Sequence, residues 1–243
     1  MDFMGTITAY PIVFALTILI IGIKAVVVAF LWNRLMIARR EQGFLAKDFL
    51  FSMFILILCF LISRILYTIF DFGLTDLNPN NYYIKPAVYY WQMGGMIGQL
   101  GIAYMAWIVD KKVLNNKFKG FFAIYILVFG IIWGLYPINS KEDFDLVSLI
   151  GIIGSLGGIF IPVIFFWIGF KTPGLRRIAW SIAIGITLYA VAAILINEAL
   201  LQQLRDAWGL DLKMVQNIMH LIFTSLKVTA LLLLAYGGRQ FKI

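Results

Sequence analysis

The sequence holds one cysteine, Cys59, and one histidine, His220, in 243 residues. An intramolecular disulfide is thereby excluded, and a zinc or haem site built on nitrogen and sulfur ligands has no donor set. Charge is scarce as well: Asp, Glu, Lys and Arg make up 13% of the chain, against 62% hydrophobic residues. With a mean hydropathy of +0.92, this composition lies outside that of soluble domains and reads as an integral membrane protein in contact with the lipid bilayer. No HExxH, GxSxG or CxxC occurs, and no pair of acids sits at mid-membrane depth. No catalytic residue is therefore assigned, and an enzyme is not expected. The N-terminal MDFMGTIT lacks a basic stretch and carries Asp2, so the first apolar run is read as a retained helix rather than a cleaved signal peptide.

What the chain has in abundance is long apolar runs. Seven of them, at about 8–31, 49–71, 86–108, 120–136, 146–170, 178–199 and 214–236, are long enough to span about 30 Å of hydrocarbon. The expected fold is all-α, a single seven-transmembrane-helix bundle over residues 1–243, multi-pass in the cell membrane. Basic residues orient it. Thirteen of the twenty Lys and Arg fall in the connections 32–48, 109–119 and 171–177 and in the tail after 236, and four fall in the opposite loops with most of the acids. By the positive-inside rule the N-terminus is outside and the C-terminus cytoplasmic. The net charge of +8 is thus a matter of topology and gives no reason to expect a nucleic-acid partner. The basic loops could receive a cytoplasmic protein partner or simply contact anionic lipid.

Local signals refine this picture. Gly94, Gly95, Gly98 and Gly101 in the third span, Gly130 and Gly134 in the fourth, and Gly151, Gly154, Gly157 and Gly158 in the fifth read as close-packing positions. Pro162 should kink the fifth span. Residues 201–213 read either as an amphipathic interfacial helix ending at Gly209 or as a surface linker.

The three remaining bases, Lys24, Arg64 and Lys227, lie inside spans. Lys227 is near the middle of the last run and belongs to a stripe with Asn217, His220 and Thr224, which fall within about 80° of one another on a helix. A lysine at that depth costs about 2.5 to 3.5 kcal/mol on insertion scales, so it should face protein or a wet cavity. Arg64, Tyr67 and Asp71 share a face of the second span, Gln92 and Gln99 a face of the third, and Glu198 stands with Asn197 at the outer end of the sixth. These residues, Lys227 to Glu198, are the candidate ligand-binding or relay set. They are expected to line an outward-facing polar cavity between spans two, three, six and seven, with positive charge to spare for an anionic or acid-headed ligand. Structural roles stand beside this: His220 as a hydrogen-bonded packing residue, Arg64 with Asp71 as a plain ion pair, and Lys24 snorkelling toward the cytoplasmic interface.

Seven spans, an outside N-terminus and a lysine in the middle of the last span resemble the microbial rhodopsins. In that family the matching lysine carries retinal as a Schiff base, so the resemblance implies Lys227 as a cofactor-binding residue. The acid usually found one turn before that lysine is Phe223 here, and the third span has no carboxylate before Asp110. The helix count and orientation also resemble orphan heptahelical sensor modules of prokaryotes, which implies a receptor-like or sensory protein for a small or amphipathic ligand. A small transporter or channel using an intramembrane charged relay is the alternative.

Overall fold

A computed structural model describes residues 3–42, 49–196 and 198–240. Lys47, Asn197 and Lys242 lie outside the described residues, and so does the side chain of Glu198. Among the described residues the chain is all-helical, with no strand. A short helix α1 (Phe3–Ala9) leads into α2 (Pro11–Gln42), which begins with proline at a position whose N–H a helix does not need. There follow α3 (Phe49–Thr68), α4 (Ala87–Ile108), α5 (Phe121–Leu135), α6 (Lys141–Leu156), α7 (Phe160–Lys171), α8 (Arg176–Leu195), α9 (Glu198–Trp208) and α10 (Leu212–Gln240).

Five helical segments are long and apolar enough to cross a membrane: Pro11–Arg40, Phe49–Leu74, Lys141–Lys171, Pro173–Leu195 and Leu212–Gln240. This makes the chain a multi-pass membrane protein. The third and fourth runs also form helices. The apolar α5 has only 15 residues, and α4 carries Gln92, Gln99 and four glycines, which dilute its hydropathy. Exposed side chains such as Val26, Leu135, Phe170 and Ile194 point outward from the bundle, as a lipid-facing exterior requires.

Sequence neighbours pack side by side, and α10 closes the ring against α2. In order the ring runs α2, α3, α4, α5, α6 with α7, α8 and α10, and α3 also reaches α10. The fifth run is divided where a tight 3-10 turn, Gly157–Ile159, separates α6 from α7. Pro162 sits in the first turn of α7, where its missing N–H costs least. α3 and α4 both end in π turns, Ile69–Leu74 and Val109–Val113. The segment after α8 forms the amphipathic helix α9, which stops at Gly209 with φ +63°. Its Leu201 and Leu204 pack on Val215 and Met219 of α10.

Caps and clamps fix the ends. Ser140 Oγ accepts from Asp143 N at 3.2 Å, and Asp143 Oδ2 accepts from Ser140 N at 3.1 Å, a reciprocal capping box at the start of α6. At the other face, buried Asp110 accepts from Phe118 N at 2.9 Å and Gly120 N at 2.7 Å, which folds the basic 109–119 connection back onto α4. That end of the bundle is filled by one apolar cluster including Val27, Leu31, Met53, Ile57, Phe165 and Leu231.

Candidate functional site

The three bases that the sequence leaves inside spans converge. Lys24, Arg64 and Lys227 are 2%, 8% and 8% exposed, and they come from α2, α3 and α10. Two aromatic rings join them. The Lys227 Nζ stands 3.8 Å from the centroid of Tyr189 of α8 and 4.9 Å from that of Phe223 of α10. Lys24 Nζ lies 5.5 Å from the same Tyr189 ring, and the Arg64 guanidinium 5.8 Å from the same Phe223 ring. Phe60 of α3 stacks on Tyr189 with centroids 4.4 Å apart. A cation over a desolvated ring gains about 2 kcal/mol, so the rings offset part of the burial of these bases.

Hydrogen bonds tie the centre together across α2 and α3. Lys24 Nζ donates to the Phe60 carbonyl at 2.7 Å, and Arg64 Nη2 donates to Thr17 Oγ1 at 2.7 Å. Each helix thus receives the other's base. Asp71, in the π turn that extends α3, pairs with Arg64 at 3.8 Å. The other ion pair among the described residues is Arg205 with Asp206, exposed on α9. Lys24 and Lys227 therefore have no described carboxylate partner, and Arg64 Nε is buried without a hydrogen bond among the described residues. Among the described residues, three bases face one acid.

The candidate stripe on α10 divides. Thr224 and Lys227 are buried, whereas Asn217 and His220 are half-buried nearer the N-terminal end of the helix. His220 Nδ1 lies 2.8 Å from the Gln216 carbonyl, and Thr224 Oγ1 donates to the His220 carbonyl at 2.7 Å. Both are satisfied by their own helix. Asn217 Oδ1 is buried and has no hydrogen bond among the described residues. Tyr67 packs its ring on Gly94 of α4, beside the centre.

Gln92 and Gln99 belong elsewhere. Gln92 Nε2 donates to the carbonyls of Trp133 and Tyr136 at 3.1 and 2.7 Å, capping the end of α5. Gln99 Nε2 donates to Ser155 Oγ at 2.8 Å and to the Gly151 carbonyl at 3.3 Å, both on α6. The polar centre therefore lies between α2, α3, α8 and α10, the first, second, sixth and last runs, and the third run does not contribute these two glutamines to it. Lys24, expected to snorkel, is instead a member. Its helix continues to Gln42, so the side chain starts far from the interface.

Thr17, Phe60, Tyr189 and Phe223 are the site residues that sequence reasoning missed. The signal available for Phe223 was its place one turn before Lys227; Tyr189 and Phe60 offered none among so many aromatics.

Retinal, which the rhodopsin resemblance implies, would need Lys227 beside a carboxylate that balances a protonated Schiff base. Asp71 is engaged by Arg64, and Tyr189 and Phe223 enclose the Nζ. The described residues do not fit that group. Comparison with protein families, with curated proteins and with solved structures gives no match in any of the three.

Proposed function

We propose that the chain is a receptor-like or sensory seven-helix membrane protein that binds a small or amphipathic anion at the centre formed by Lys24, Arg64 and Lys227. The observation that carries the reading is the excess of buried bases: three share two aromatic rings, and one described carboxylate answers them. Buried charge in a membrane bundle is expensive and persists where a partner or a function holds it. An anion supplies the missing partner. In the orientation read from the loop charges, the ligand reaches the centre from the outer half, with the C-terminus cytoplasmic. The apolar cluster at the basic end supports a site closed toward the cytoplasm, which suits a sensor. Its signal would pass to a protein docking on the basic loops.

The test is thermal unfolding of the protein in phosphatidylcholine nanodiscs with decanoate or, as the uncharged control, decanol. Decanoate at about 100 times its Kd stabilises by about 2.7 kcal/mol, a rise in Tm of at least about 5 °C for a chain of this size. Decanol gives no such rise, and Lys227→Gln and Arg64→Gln each abolish most of the decanoate effect. Equal responses to decanoate and decanol would overturn the reading.

A further inference from the structure

Two polar stripes, one on α2 and one on α10, run side by side in a fixed register. Tyr10, just before α2, meets Lys213, whose Nζ lies 5.7 Å from the tyrosine ring. Further along, Ile20 packs with Phe223, and Lys24 shares the Tyr189 ring with Lys227. The numbers in the three pairs differ by the same amount, so one register holds along the whole contact. It brings Thr17 level with His220 and Phe14 level with Asn217. Tyr10, Thr17 and Lys24 recur a heptad apart and so share one face, as Asn217, His220, Thr224 and Lys227 do on α10. The other face of the start of α10, with Val215 and Met219, is covered by Leu201 of α9.

Two buried polar atoms at this contact have no hydrogen bond among the described residues, and they are of opposite kind. Arg64 Nε is a donor, and Asn217 Oδ1 is an acceptor. Their neighbours His220 and Thr224 are satisfied by their own helix; these two are not. Arg64 is 8% exposed, and its Nη2 is bonded to Thr17, which fixes the guanidinium at the level of His220. Asn217 is three residues before His220, so the two atoms are offset by about 4.5 Å along the axis at 1.5 Å per residue. An acceptor thus stands about one turn before a spare donor, with Lys24 and Lys227 further along the same faces.

We propose that the ligand is a carboxylate with a hydroxyl close to its acid group, a 3-hydroxy acid in chemical class, and that Asn217 is the residue that selects it. The carboxylate accepts from Arg64 Nε, with the charge of the two lysines beyond it, and the hydroxyl donates to Asn217 Oδ1. This rests on reading the centre as an anion site and adds a second point of recognition. A plain alkyl acid answers the arginine but leaves the Asn217 oxygen buried and unpaired, which is costly; a donor placed there recovers that cost. A hydroxyl on the third carbon spans one turn together with its two hydrogen bonds of about 3 Å each. A hydroxyl at the far end of a long chain does not.

The test is isothermal titration of the protein in phosphatidylcholine nanodiscs with decanoate, 3-hydroxydecanoate and 10-hydroxydecanoate. The 3-hydroxy acid binds about tenfold tighter than decanoate, equivalent to about 1.4 kcal/mol, and the 10-hydroxy acid shows no such gain. In Asn217→Leu, which keeps the bulk and removes the acceptor, decanoate and 3-hydroxydecanoate bind alike; Asn217→Ala repeats the comparison should Asn217→Leu fail to fold. Equal binding of the two acids to the wild type would overturn the hydroxyl assignment and leave the anion site standing. A preference that survives both variants, or that 10-hydroxydecanoate shares, overturns the role of Asn217. A wild type that binds neither decanoate nor its 3-hydroxy form overturns both readings.

Discussion

Lys227 sits 3.8 Å over the Tyr189 ring in a neighbourhood whose other charged groups are mostly bases. Asp71 is the one described acid within reach, and it is committed to Arg64. That commitment makes Asp71 a competitor of any incoming anion. Asp71→Asn removes the competitor and keeps the shape, so decanoate should bind more tightly by about 5- to 30-fold, the equivalent of about 1 to 2 kcal/mol. Isothermal titration in nanodiscs reads this directly, and weaker binding in the variant would mean that Asp71 positions Arg64 rather than contends for it. Much of this centre was legible at the level of single residues, because a base in a long apolar run has few reasons to be there. Arg64 and Lys227 were found that way. Lys24 was misjudged because its helix was taken to end near residue 31, and the continuation to Gln42 depends on the polar stretch NRLMIARREQ staying helical beyond the apolar run. The rings were not legible, since an aromatic residue in a membrane helix looks the same whether it faces a lysine or a lipid tail.

Helices approach one another here through glycine. The Trp133 indole of α5 lies against both Gly95 of α4 and Gly151 of α6, so close that a side chain at either position would overlap it. Gly130 meets Gln99 in the same way, and Gly154 meets Phe129. Most of the glycines read from the sequence as packing positions are close contacts of this kind, although Gly98 meets only Ser63 Oγ, at 3.6 Å, and Gly101 meets the small side chain of Cys59. Gly151→Leu should therefore destabilise by about 1 to 3 kcal/mol or more, because the indole has no second place to go. The measurement is Tm in detergent, and Gly22→Leu, whose added atoms meet open space, is the internal control that separates overpacking from loss of glycine itself. An unchanged Tm in Gly151→Leu would show that Trp133 can leave its socket without penalty. The glycine spacing located these contacts on the right helices, but which large residue fills each socket depends on how far one helix slides along the next, and no local pattern carries that.

At the scale of the whole molecule, the polar centre has an apolar cluster between it and the basic face. A path for ions or substrates would have to open through Val27, Met53, Ile57 and Leu231, which pack together there. Proteoliposomes loaded with a pH-sensitive dye should accordingly show no protein-dependent acidification when decanoate is added beyond the rate of its own flip-flop. Flux that depends on Lys227 would replace the sensor with a transporter. The all-helical, multi-pass architecture and the positions of its apolar runs were readable from composition and run length alone, since lipid leaves the backbone only helices or closed barrels and continuous apolar runs of this length suit helices. Where the third run turns was less readable, because Gln92 and Gln99 look like site residues until α5 and α6 are seen to supply their acceptors.

The exchange of bases between α2 and α3 also bears on how the protein is made. Synthesis runs from the N-terminus, so α2 and α3 exist before α8 and α10. Lys24 and Arg64 are provided for at once, because the second helix brings the Phe60 carbonyl for the first and the first brings Thr17 for the second. Lys227 has no such early companion; its ring partner Tyr189 and its own helix arrive late in synthesis, when the α2–α3 hairpin is already stapled. The last of the three buried bases is thus synthesised after the helix pair that holds the other two.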